Sequence, residues 1–89
     1  MAYSIALTKS AARELDDLPA DLRSRIIEQL RRIQMNPRAH GSQKLKGRPE
    51  YKRRVGDHRI VYEINDGDLK ITVFLIANRK HVYKKLGRK

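Results

Sequence analysis

The run Val73-Phe74-Leu75-Ile76-Ala77 constrains the fold most, because five successive apolar residues leave neither side of an extended strand for solvent. Such a strand needs cover on both sides, or on one side plus a sheet edge. Just before it, Leu69-Lys70-Ile71-Thr72 alternates apolar and polar, so a strand is expected over Leu69–Ala77 as the anchor of a sheet.

The cover must come from upstream, where the periodicity is helical. Tyr3-Ser4-Ile5-Ala6-Leu7 alternates with period two and ends at Thr8, a good N-cap, which reads as a short strand feeding a helix. That helix is expected from Lys9 to Leu18, with Ala12, Leu15 and Leu18 along one face. Pro19 interrupts the pattern and suits an early position of a second helix, since it forfeits only an orphan N–H there. In the second helix Leu22, Ile26, Leu30 and Ile33 draw one apolar stripe that stops near Asn36-Pro37. Arg23, Arg25, Glu28, Arg31 and Arg32 lie off the stripe and read as an exposed helix face rather than an RNA-binding helix, a face against which a partner can also lie.

Arg38 to Glu50 is a loop by composition, with Gly41, Gly47 and Pro49. Tyr51–Val55 reads as a strand, Gly56-Asp57 as a tight hairpin turn, and Arg59–Ile64 as the returning strand. Asn65-Asp66-Gly67-Asp68 is a second turn, in which Asp66 and Asp68 read as turn formers rather than cation ligands. The tail from Lys80 to Leu86 has the composition for a short final helix. The order β-α-α-β-β-β implies a two-layer α+β fold, with the helical hairpin packed on one face of a small, mainly antiparallel sheet and the opposite face open. At 89 residues the chain is expected to be one domain, 1–89, since two cores could not each bury enough surface.

With no cysteine, disulfide scaffolds, zinc fingers and thiol nucleophiles are excluded. No apolar run is long enough to span a bilayer, so no membrane role is expected and the cytoplasm is the default location. The net charge of +11 is segregated. Residues 44 to 59 carry seven basic side chains against Glu50 and Asp57, and residues 79 to 89 carry six against none. The remainder balances, so folding is expected to join the two basic stretches into one polyanion-binding face.

Phosphate-cradling glycine loops and paired acidic metal sites are absent, and neither a metal nor a cofactor is expected. What the chain offers is a set of cations. Along an extended Tyr51–Val55, Lys52 and Arg54 share one face while Arg53 points the other way. Arg59 lies across the hairpin, and Arg79 closes the last strand, followed by His81 and Tyr83. RNA is cleaved without a metal when its own 2′-hydroxyl attacks the neighbouring phosphate. That reaction needs a base, cations for the charge growing on phosphorus, and a proton donor for the departing 5′-oxygen. Neighbouring cations favour the neutral amine, which makes Lys52 a candidate base, whereas arginine suits bidentate phosphate contact.

Read in order, the Tyr3–Leu7 strand, Leu18-Pro19, Asn36-Pro37, Lys44-Leu45-Lys46-Gly47, Tyr51 through Tyr62, and Asn78-Arg79-Lys80-His81-Val82-Tyr83 resemble the RelE/ParE toxin superfamily over nearly the whole chain. RelE-type members carry basic residues on the second strand, an arginine on the third, an arginine after the fourth and a tyrosine in the tail. Lys52, Arg54, Arg59, Arg79 and Tyr83 occupy those positions. The resemblance implies a ribosome-dependent mRNA endoribonuclease, the toxin of a type II toxin–antitoxin pair. It would form a hetero-oligomer with a cognate antitoxin, whose acidic segment would wrap the helical face. Arg79 and Tyr83 would serve proton transfer and base stacking, and Lys52, Arg54 and Arg59 the phosphate and hydroxyl activation. Lys44, Lys46, Arg48, Arg53, Lys80, Lys84 and Lys85 would bind RNA and ribosome. Arg54 stands where some members have lysine, and Ala77-Asn78 replaces a glycine-histidine pair, while His81 in the tail becomes a second candidate proton donor. ParE-like members share the fold but act on DNA gyrase, and a noncatalytic basic RNA-binding protein is a third reading.

Overall fold

The structure, a computed structural model, describes residues 2–39 and 41–78. Its elements are β1 (Ser4–Leu7), α1 (Lys9–Asp16), α2 (Ala20–Met35), β2 (Ser42–Lys44), β3 (Tyr51–Val55), β4 (His58–Asn65) and β5 (Lys70–Asn78). The sheet order is β1-β5-β4-β3-β2, with β1 parallel to β5 and the other pairs antiparallel. This is the expected α+β arrangement of two helices on one sheet, and β5 is interior as its composition demands.

Thr8 caps α1 by accepting a hydrogen bond from the Ala11 amide at 3.1 Å. The helix stops at Asp16, two residues before the expected Leu18. Leu18 precedes Pro19, whose ring disfavours helical backbone at the residue before it. Helix α2 buries Ile26, Leu30 and Ile33 as its spacing requires, with Leu22 packed against the same core. They meet Val55, Ile60, Tyr62, Ile71, Val73 and Ile76 from the sheet.

The two-faced apolar run of β5 has a local explanation. Val61 pairs with Leu75 and Tyr62 with Val73, so Phe74 is an extra residue in the ladder. Phe74, Leu75 and Ala77 join Val61 and Leu45 in a second cluster, separate from the one that includes Val73 and Ile76. Parallel β1 covers only Lys70–Val73 of β5. Beyond it, the Thr8 amide donates to the Val73 carbonyl at 3.0 Å, and the Glu14 carboxylate accepts from the Ile76 amide at 2.9 Å. The edge of the strand is thus satisfied where its neighbour ends.

Two expectations need correction. The polar stretch after α2 contains a strand, β2, in which Ser42, Gln43 and Lys44 pair with Arg53, Lys52 and Tyr51. Three polar residues carry no hydrophobic alternation, and the ladder with β3 supplies the order instead. Nor is the second sheet face fully open. Leu45 packs with Val61, Leu75 and Ala77, which would otherwise form an exposed apolar patch. The expected final helix falls after residue 78 and lies outside the described residues.

Asp66 does more than form a turn. It accepts from the Tyr3 hydroxyl at 2.7 Å and from both terminal nitrogens of Arg38 at 3.0 and 2.8 Å, tying the β4–β5 turn to β1 and to the end of α2. Arg38 also donates to the Tyr51 hydroxyl at 3.2 Å and lies 5.7 Å from that ring's centre. These bonds, Arg38's foremost, hold the Asp66 carboxyl down from 3.8 to about 2. A depressed folded-state value means the contribution is present above about pH 4 and is lost as pH falls toward 2. Thermal midpoints measured between pH 5 and pH 2 are therefore expected to fall less steeply for Asp66→Asn than for the parent, with the difference shrinking in high salt because the clasp is exposed.

Candidate functional site

The β3–β4 hairpin places the cations. Gly56 has a φ of +59° while Asp57 is not in the left-handed region, the pattern of a two-residue type II′ turn, which glycine favours at its first central position. The turn sets Val55 opposite His58, Arg54 opposite Arg59 and Lys52 opposite Val61. Alternation sends Val55 and Ile60 into the helix-covered core, so Arg54, Arg59 and Lys52 share the other face.

On that face Lys52, Arg54 and Arg59 line one hollow together with Gly41, Gln43 and Gly56, and among the described residues no carboxylate lines it. The Arg54 Nε donates to the Gly56 carbonyl at 3.4 Å and the Arg59 Nη1 to the His58 carbonyl at 3.3 Å. Both contacts are to neutral backbone oxygens of the turn, so they position the guanidinium groups without compensating their charge. Two like charges directly opposed across a ladder are destabilising, by roughly 0.2–1 kcal/mol in exposed sheets. A surface that tolerates this cost is suited to an anion that neutralises both, and a planar guanidinium pair matches the oxygens of a phosphate.

Arg53 plays a different part. It points to the helix face, donating from Nε to Gln29 Oε1 at 2.7 Å and from Nη1 to Ser42 Oγ at 3.1 Å. Beside it the Tyr62 hydroxyl donates to the Pro37 carbonyl at 2.6 Å and shares a bond of 2.7 Å with Ser42 Oγ. Burial pushes the Tyr62 phenol above its ordinary value. The Tyr62 ring also stacks on Tyr51, 6.0 Å centre to centre. This network braces β3 from behind while the hollow stays on its front.

The other basic residues singled out from sequence are dispersed. Arg48 pairs with Glu50 at 3.0 Å, which compensates its charge. Lys44 stands opposite Tyr51, hence on the helix-side face, and Lys46 is exposed beyond the strand. Neither lines the hollow. Arg79, Lys80, His81, Tyr83, Lys84 and Lys85 lie outside the described residues. Gln43 and Gly41 were not anticipated as lining residues, because only the unforeseen β2 ladder brings them beside Lys52. The roles of Gln29 and Ser42 in holding Arg53 depend equally on contacts distant in sequence.

Residues 5–83 match the family model for the ParE toxin of the type II toxin–antitoxin system parDE. Toxin RelE of Mycobacterium tuberculosis is 31% identical over 84 residues, spanning 92% of this chain and 87% of that protein. Among solved structures, a mutant of the E. coli toxin RelE in its free state superposes with a TM-score of 0.80 at 26% identity, covering 94% of this chain and 93% of that one. The RelE–RelB complex of the archaeon Pyrococcus horikoshii gives a TM-score of 0.78 at 26% identity, covering 89% of this chain and 97% of the matched one.

The two faces of β3 predict opposite stability effects. Arg53→Ala is expected to cost about 1–2 kcal/mol in denaturant unfolding, through loss of charge-assisted bonds to Gln29 and Ser42. Arg54→Ala should stay within about 0.5 kcal/mol of the parent, or gain slightly by relieving the opposition to Arg59.

Proposed function

The chain belongs to the RelE/ParE superfamily of type II toxins as a RelE-type toxin, and from that premise we propose that it is a ribosome-dependent endoribonuclease that cuts mRNA in the A site. The observation that carries the reading is the hollow that Lys52, Arg54 and Arg59 line together, three cations brought to one face of the hairpin by its register. A phosphodiester seated there has its charge met as it grows. The 2′-oxygen forms a bond to phosphorus, its proton passes to a base, and the bond from phosphorus to the 5′-oxygen breaks. One product ends in a cyclic phosphate, opened by water to a 3′-phosphate, and the other begins with a 5′-hydroxyl.

In this reading Arg54 and Arg59 hold the phosphate oxygens, and Lys52 takes part in activating the hydroxyl. Arg79, Tyr83 and His81 are proposed to complete proton transfer and base stacking. Three cations in one hollow of the sheet offer little to orient an RNA strand, so the ribosome supplies alignment, the entropic part of the barrier. Free RNA is then a poor substrate.

A cognate antitoxin is the proposed partner. RelE is bound to RelB in the archaeal complex named above. Here Ile27 and Met35 of α2 are 37% and 69% exposed, apolar positions on an otherwise charged helix face. An acidic, amphipathic segment fits both that face and the basic surface nearby.

The match to the ParE family model supports a second reading, inhibition of DNA gyrase. The two separate in vitro. Translation of a defined message with the protein present is expected to yield cuts at the ribosomal A site, and gyrase supercoiling to proceed undisturbed. Arg54→Ala, Arg59→Ala and Arg79→Ala should each slow cutting by roughly 10²–10³, the scale for losing one group that stabilises developing charge. Message left intact on programmed ribosomes, with supercoiling blocked, would hand the case to the gyrase reading.

A further inference from the structure

We propose that Arg25, Arg53 and Arg54 form a second phosphate-binding subsite, which takes a further phosphate of the same RNA strand that occupies the hollow of Lys52, Arg54 and Arg59. The inference rests on the reading of that hollow as an RNA site and extends it around the hairpin.

A second groove runs between α2 and β3, on the helix side of the sheet, with Arg25, Glu28, Gln29 and Arg53 in its walls. It is continuous with the first hollow, because Gly41, Arg54 and Gly56 line both. Gly56 is the crest between them. Arg25 Nη2 lies 3.6 Å from where a Cβ on Gly56 would stand, and Arg54 Nε donates to the Gly56 carbonyl at 3.4 Å. Two guanidinium groups therefore flank the tip of the hairpin, one reaching from the helix and one from the strand.

The electrostatics of the second groove repeat those of the first. Arg25 is exposed and has no ion pair or hydrogen bond among the described residues. Arg53 is held by the neutral partners Gln29 and Ser42, with Nη2 left unbonded among the described residues. Glu28 is the single carboxylate among the described residues of the lining, and it is 3.6 Å from Arg32 in an i,i+4 pair. A donor already fixed by its neighbours loses little freedom on binding, which favours Arg53 as the base of a phosphate seat. The sequence gives Arg25 no distinction, since it reads as one of several cations off the apolar stripe. Its approach to Gly56 sets it apart, and so does its lack of a bonded partner among the described residues where Arg23 and Arg32 each have one.

A path that bends over a hairpin tip selects the form of the RNA. A single strand can turn from one groove into the next, whereas a stiff A-form duplex cannot follow it. Two nucleotides fill one seat, and a longer strand reaches both.

The test uses 2′-O-methyl oligonucleotides, which cannot be cut, titrated at low salt by fluorescence polarisation against the whole protein and Arg25→Gln. For a hexanucleotide, Arg25→Gln is expected to weaken binding about tenfold, the worth of one charge-assisted contact, and to lower the slope of log affinity against log salt by about 0.7. A dinucleotide and a short duplex should bind both proteins alike. Glu28→Gln should bind the hexanucleotide more tightly than the parent. The subsite is refuted if Arg25→Gln holds the hexanucleotide as well as the parent does, if the loss is equal for dinucleotide and duplex, or if the parent gains nothing in going from two to six nucleotides. Absence of cleavage on ribosomes would remove the nuclease reading instead, and this titration would still report whether the strand occupies both grooves.

Discussion

The register of the β3–β4 hairpin is the constraint on which both the core and the site depend. Val55, Ile60 and Tyr62 reach the space beneath α2 only in the pairing that sets Arg54 against Arg59 and Lys52 against Val61. A slip by one residue would turn Arg54 and Lys52 into the core and Val55 out to water, at a cost far above what one strand contributes. The convergence of the cations therefore needs no attraction among themselves. Hydrophobic burial on one face imposes like-charge crowding on the other, and the crowded face is the one proposed to meet the phosphate.

Such crowding has to be held stiff to be useful, and the back of β3 supplies the stiffness. Arg53 is locked between Gln29 on α2 and Ser42 on β2, and Ser42 in turn meets the buried hydroxyl of Tyr62. Helix, edge strand and central strand thus share one network directly behind the hollow. At the far end of the hairpin, Tyr51 stacks on Tyr62 and receives a hydrogen bond from Arg38, which Asp66 clasps. Strand β3 is pinned at Tyr51 and at Arg53, so its outward cations sit on a surface that the fold has already ordered.

How much of this was legible in the sequence follows from the range of the interactions involved. The helices and the three long strands were readable because their apolar residues repeat with the period of the element, as in Ile26, Leu30 and Ile33. The opposite faces of Lys52 and Arg53 were readable from strand alternation alone. Strand β2 was not, since Ser42-Gln43-Lys44 owes its order to the β3 ladder rather than to any pattern of its own. Leu45 falls in a stretch that is a loop by composition, and its function as a cover for Val61, Leu75 and Ala77 depends on a chain reversal that no local signal announces. Asp66 was recognised as a turn residue, but its clasp on Arg38 and Tyr3 joins positions separated by 28 and 63 residues.

The same distinction explains the uneven treatment of the arginines. A cation that alternates with apolar residues along a strand has a definite face, so the placement of Arg54 and Arg59 is legible from Val55 and Ile60 beside them. Arg25 sits on a helix with several equivalent outward cations, and which of them nears the sheet depends on how α2 crosses β3. Helix packing fixes that crossing through Ile26, the fully buried residue next to Arg25 in the chain. The residue that seats the helix on the core thereby also sets the approach of its neighbour to the hairpin tip. In a domain this small, the same few buried contacts determine both where the helix lies and where positive charge accumulates.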